Sequence, residues 1–163
     1  MDTVVSYLFR FVAYVMFGLV METLFAIDGI DRVLGYSVER RVPGKYLEGF
    51  VSVYMIPLHG LGVLFLFEPA SLYIADLHLG VRFLLYAFGI SVAESLWGFF
   101  LDKTFGFYTW DYYAKSRFKV FKRGYTLYTL IPFWGLAGLI LEIYTGLMLH
   151  LAPVVVAYFK ALW

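Results

Sequence analysis

Cysteine is absent from the chain, which excludes disulfides, thiol nucleophiles and thiolate metal sites. Charge is scarce as well. Only 15% of the 163 residues are charged while 62% are hydrophobic and 21% aromatic, too little polar surface to cover a soluble fold. The three histidines, His59, His78 and His150, are too dispersed to form a metal signature. No phosphate-binding loop, serine-hydrolase elbow or zinc-protease motif occurs, so no cofactor is implied. Nucleic-acid binding has no support, because the basic residues flank apolar runs. The N-terminus lacks the short apolar region and small-residue cleavage site of a secretory signal, and Val4 to Ile27 reads as a retained span. No internal repeat, linker or low-complexity tract is evident, so 1–163 reads as one polytopic transmembrane domain.

What the chain does have is long apolar runs. A crossing helix needs about 20 such residues. Val4–Ile27, Leu47–Phe67, Gly80–Leu101 and Tyr125–Leu149 all qualify. Exposed backbone cannot be satisfied by lipid, and the runs lack the alternation of barrel strands. The expected fold is therefore all-α: an integral membrane bundle of four spanning helices plus a short C-terminal interfacial or fifth helix from Pro153 to Trp163. Arg32, Arg40, Arg41 and Lys45 crowd the first loop, and Lys103, Lys115, Arg117, Lys119, Lys122 and Arg123 the third. The second has only Arg82 at its edge. Positive loops stay inside, which predicts a cell-membrane protein with loops 28–46 and 103–124 cytoplasmic and the N-terminus outside.

Acids placed in such helices are the candidates for chemistry. Glu22, Glu94 and Glu142 each have a glycine four residues away, on the helix face where close packing occurs. Each carboxylate would cost about 3 kcal/mol if ionised at mid-bilayer, so protonation or a cationic partner is expected. Glu94 and Asp102 share a face of helix three, with Glu22 and Glu48 near the same end of helices one and two and Arg123 at the start of helix four. This predicts an acidic, cytoplasm-facing cavity of Glu22, Glu48, His59, Glu94, Trp97, Asp102, Trp110, Asp111 and Arg123. His59 enters through Pro57-Leu58-His59-Gly60-Leu61-Gly62, where proline frees a carbonyl and the glycines permit a bend. Its competing role is that of a neutral packing histidine. Arg10 and Glu142, each roughly 9 Å from the outer end of its helix, are expected to form a structural ion pair. No residue set predicts a metal. The segment Lys115-Ser-Arg-Phe-Lys-Val-Phe-Lys-Arg123 suits anionic headgroups of membrane lipids. Trp110, Tyr112 and Tyr113 fit an interfacial aromatic belt, and Asp111 either caps a helix or holds Arg117 or Arg123.

In order along the chain come Gly18 and Met21-Glu22, Pro57 and His59-Gly60-Leu61-Gly62, Glu94 with Gly98, and Trp110-Asp111-Tyr112. Arg123-Gly124 follows, then Pro132, Trp134 and Glu142. This ordered set resembles the ABC-transporter type IV (CmpB-like) family, which includes the transmembrane protein 229 group. The resemblance implies a small multi-pass membrane protein that needs partner membrane proteins or a homo-oligomer to act as a permease. A fainter one, through Asp102, Trp110-Asp111 and Pro132, is to lycopene-cyclase domains. Three functions follow. The first is a transporter or permease-type component with a path at the bilayer midplane. The second is an intramembrane enzyme acting on an isoprenoid or lipid, with Glu94 or Asp102 as acid and Arg123 on a headgroup. The third is a non-catalytic scaffold whose inner carboxylates serve only packing.

Overall fold

The computed structural model describes residues 2–39 and 46–162. Arg40, Arg41 and Lys45, three of the four cations expected in the first loop, lie outside them, as does Trp163. Four helices are long and apolar enough to cross a membrane: Asp2–Ile27, Val53–Ile74, Leu79–Phe105 and Tyr128–Leu162. The all-α expectation stands, since one isolated bridge, Lys119 to Leu127, is the sole extended pairing among the described residues.

The first crossing lies in α1 (Asp2–Leu34), which no proline interrupts and which ends at Gly35 in the left-handed region, φ 74°. The second span opens with a 3-10 turn, Val53–Met55, for which the Ser52 side chain accepts from the Tyr54 N–H at 3.3 Å. It passes through a π-helical segment, Leu58–Phe67, into α2 (Glu68–Ile74). Then α3 (Leu79–Phe105) starts under the His78 imidazole, which accepts from the Gly80 N–H at 3.1 Å. It closes on Gly106, φ 78°. A 3-10 turn, Tyr128–Leu130, leads into α4 (Ile131–Leu162).

The second and fourth spans have bounds other than those expected, and the second also begins later, at Val53. The second span runs to Ile74 instead of stopping before Glu68, and the tail from Pro153 is the end of α4, not a separate helix. Glu68 is buried against Arg10, and Lys160 pairs with Asp2 at the start of α1. Pro153 removes one backbone donor without breaking the helix around it.

Large apolar side chains cover the outside of the spans, including Leu66, Ile143 and Val154, as suits a lipid-facing surface. The core sits toward the loop end. Ile30, Val33 and Leu34 of α1 meet Leu101 of α3, Met55, Leu127 and Leu130, with Tyr108, Trp110 and Tyr113 of the 107–127 connection inserted among them. That connection also completes α1. The last carbonyls of a helix have no intrahelical donor; here the Ser116 hydroxyl donates to Leu34 O at 2.8 Å and the Thr129 hydroxyl to Val33 O at 2.6 Å. A second, smaller core joins Tyr14, Val63, Leu64 and Met148 farther along the bundle.

Ser116 is fully buried, so Ser116→Ala strands a carbonyl with no water to replace the donor. It should cost about 1–3 kcal/mol, a fall of roughly 2–10 °C in the unfolding midpoint in detergent. An unchanged midpoint would mean that the connection does not cap α1.

Candidate functional site

Four glutamates lie within the spans: Glu22, Glu68, Glu94 and Glu142. Their partners divide them into two kinds. Glu68 and Glu142 are neutralised by arginine. Arg10 of α1 donates to Glu68, which also accepts from the Tyr14 hydroxyl. Arg82 of α3 donates to Glu142 of α4, which also accepts from the Tyr86 hydroxyl at 2.8 Å. The expected Arg10–Glu142 pair is thereby corrected. Similar depth was the basis for joining them, but each has a nearer partner on the helix it packs against. Glu68 lies one residue beyond the expected end of the second span at Phe67 and was not among the expected site residues. A signal was present in the sequence: an arginine and a tyrosine four apart, Arg10 with Tyr14 and Arg82 with Tyr86, each presenting two donors on one face.

Glu22 and Glu94 have no arginine or lysine partner among the described residues. Glu94 is buried on α3 and accepts from the Thr126 hydroxyl at 2.5 Å and the Trp134 indole at 3.1 Å. Tyr113 of the connection lies near it, and Glu22 is close enough for their charges to interact. Glu22 faces His59 of the π-helical segment, with Oε1 and Nε2 3.3 Å apart. The two groups are in contact without a hydrogen bond between them, and Nε2 has no hydrogen-bond partner among the described residues. We regard it as an electrostatic contact. Gly18 makes room for it, because a Cβ there would overlap the imidazole ring.

The remaining expected residues do not join this group. Asp102 is buried beneath the surface, where Arg123 grips it through Nη2 at 2.9 Å and Nε at 3.2 Å and the Tyr125 hydroxyl donates at 2.6 Å. The Arg123 side chain is 65% exposed, which places this bridge on an outer flank. The Trp110 indole donates to Tyr125 O at 2.9 Å, and its ring lies against Gly98 of α3. Trp97 donates to Tyr54 O at 3.2 Å. Asp111 is exposed at the start of a 3-10 turn, Asp111–Lys115, and Arg123 is held by Asp102 instead. Glu48 is half-buried in irregular chain before the second span, not on its helix. The contacts among the described residues do not join all nine expected residues into one group. Two open concavities are evident, one between the ends of α1 and α4 by Arg10 and Lys160, the other along α3 by Phe88 and Gly89, and neither reaches Glu94.

With this arrangement in view, a family model described as "Putative ABC-transporter type IV" matches residues 9–161. The chain belongs to this family. No curated protein and no solved structure matches it significantly. Four apolar helices and a transporter-type family make the chain a membrane protein. The family match covers all four intramembrane glutamates and every partner named above, including Arg10, which begins only one residue inside it.

The lid over the inner group is aromatic and charge-averse. Burial and the neighbouring Asp111 charge push the Tyr108 hydroxyl up to about 12, and burial raises Tyr112 and Tyr113 well above the usual tyrosine range, reinforced by the Glu22 and Glu94 charges. These groups hold their protons more tightly when folded. Their contribution to stability should therefore be level up to about pH 9 and decline as pH climbs from about 10, the unfolded tyrosine value, toward 12. Denaturant titration alongside tyrosinate absorbance checks this; ionisation of all tyrosines near 10 would contradict it. A second prediction concerns the ion pairs. Arg10→Met should cost roughly 3–5 kcal/mol by leaving Glu68 buried and alone, with much of it restored in Arg10→Met/Glu68→Leu. The Arg10 and Glu142 substitutions should instead combine additively. A double-mutant cycle in detergent measures both.

Proposed function

We propose that the chain is a multi-pass component of a membrane transporter and that Glu22, His59 and Glu94 form its station for a proton or a cationic substrate group. One contrast carries this reading. Glu68 and Glu142 are each neutralised permanently by arginine, whereas Glu22 and Glu94 are served only by a titratable imidazole and by neutral donors. A carboxylate at that depth is stable when protonated or when a cation visits. Its neighbours supply hydrogen bonds to an anion without fixing its charge. An intramembrane acid of this kind belongs to the proton relays and substrate paths of transport proteins.

The station lies beneath the basic connection, which in this reading faces the cytoplasm, with Lys115, Arg117, Lys119 and Lys122 on anionic headgroups. A homo-oligomer or a partner membrane protein completes the path, since the described residues enclose no through-channel. The lipid-enzyme alternative is less well supported, because Asp102 and Arg123 occupy each other.

The test is proton flux into proteoliposomes under an imposed pH gradient and membrane potential. Glu94→Gln and Glu22→Gln should each reduce flux at least tenfold while the unfolding midpoint stays within a few degrees. Glu-to-Gln variants that alter stability alone, with flux intact, would leave a packing role and remove the transport reading.

A further inference from the structure

The two arginine–glutamate–tyrosine groups are not merely alike. Arg10, Phe11, Tyr14, Glu22 and Leu24 of α1 recur at one constant offset as Arg82, Phe83, Tyr86, Glu94 and Leu96 of α3. Ile56, Pro57, Gly60 and Leu61 of the second span recur as Ile131, Pro132, Gly135 and Leu136 of α4, and farther on Glu68 and Ser71 recur as Glu142 and Thr145. The offset shortens by one residue across Leu58–Phe67, which is π-helical. A π turn is how a helix accommodates one extra residue without losing its axis.

The contacts repeat with the residues. Gly60 lies under the ring of Phe11, and Gly135 under the ring of Phe83. The Ser71 hydroxyl donates to Glu68 O at 2.8 Å, and the Thr145 hydroxyl to Glu142 O at 3.0 Å. Each half begins with a helix ended by a left-handed glycine, Gly35 or Gly106, and resumes through a 3-10 turn, Val53–Met55 or Tyr128–Leu130. His59 then stands where Trp134 stands. The imidazole Nε2 is 3.3 Å from Glu22, and the indole Nε1 is 3.1 Å from Glu94. The expectation that the sequence has no internal repeat is thereby corrected.

We infer that the chain is a tandem duplication of one helical hairpin, and that Glu22–His59 and Glu94–Trp134 are two copies of one carboxylate station, of which only the histidine copy exchanges a proton. Each half crosses the membrane twice, so the halves run the same way and are related by an axis along the membrane normal. Glu22 and Glu94 then lie at equal depth on either side of that axis. An indole N–H donates but cannot give up its proton, and it binds Glu94 together with Thr126; an imidazole can do both. The charged group facing His59 is Glu22 from α1, and Glu22 in turn interacts with Glu94 of α3 and with Tyr112 and Tyr113 of the connection. The assignment of proton exchange rests on the transport reading; the duplication does not.

The experiment uses the full chain in nanodiscs, with ¹⁵N-labelled histidine followed by NMR across pH. The His59 ring nitrogens should respond to pH, and Glu22→Gln should change that response, since the two groups are in contact. In Trp134→His the new imidazole should titrate likewise, and its midpoint should move with Glu94→Gln more than with Glu22→Gln. A new imidazole indifferent to Glu94, or a His59 that does not titrate, overturns the inference. Should Trp134→His not fold, Gly60→Ala and Gly135→Ala decide the duplication. Each forces a Cβ into its phenylalanine, so both midpoints should fall by a similar amount, roughly 3–10 °C. A loss at one site alone overturns it. Absent flux with these titrations intact would remove the transport reading and leave the duplication standing.

Discussion

Neutralising glutamate inside an apolar bundle is the constraint on which this fold rests. In lipid, apolar side chains gain little by leaving one hydrocarbon surface for another, so helices are held by close packing and by polar bonds between them. The Arg10–Glu68–Tyr14 group fastens α1 to the second span, and Arg82–Glu142–Tyr86 fastens α3 to α4. Each joins a cation, an anion and a hydroxyl from two neighbouring helices, so that neither charge is left alone at depth. The glycines beneath Phe11 and Phe83 let the same helices approach closely enough for those bonds to form.

At the other end of the bundle the long connection does the work of a third layer. Its aromatic residues fill the space between the ends of α1 and α3, and its hydroxyls complete hydrogen bonding that α1 cannot supply for itself. Tyr36 is tied to it through a bond to Tyr112 O at 2.5 Å, and Tyr108 through one to Arg123 O. Tyr113 and Thr126 of this layer reach Glu94. Any change of charge at the inner carboxylates is therefore felt by the segment that covers them.

Much of this was legible before the coordinates. Composition dictates a membrane bundle, and apolar length locates four spans, because both follow from burying backbone in lipid. The inner carboxylates were legible as well, from charge at depth beside glycine. What failed was anything that depended on which partner a charge would find. Glu68 and Lys160 find their partners in Arg10 and Asp2, which are distant in sequence. Asp102 shares a face with Glu94, but eight residues of helix are about 12 Å, which carries it out of the inner group and onto Arg123. The duplication was hidden by sparse identities and by the one-residue shift within the second span.

That shift has a mechanical consequence. One residue more in an ordinary α-helix turns everything beyond it by about 100°, and Glu68 would then point away from Arg10. The wide turn of Leu58–Phe67 absorbs the surplus, so that His59 and Glu68 both face α1. A surplus residue can be relocated along a helix by exchanging one hydrogen bond at a time. Imidazole and carboxylate are thus joined by the one stretch of this bundle able to twist the first without loosening the second.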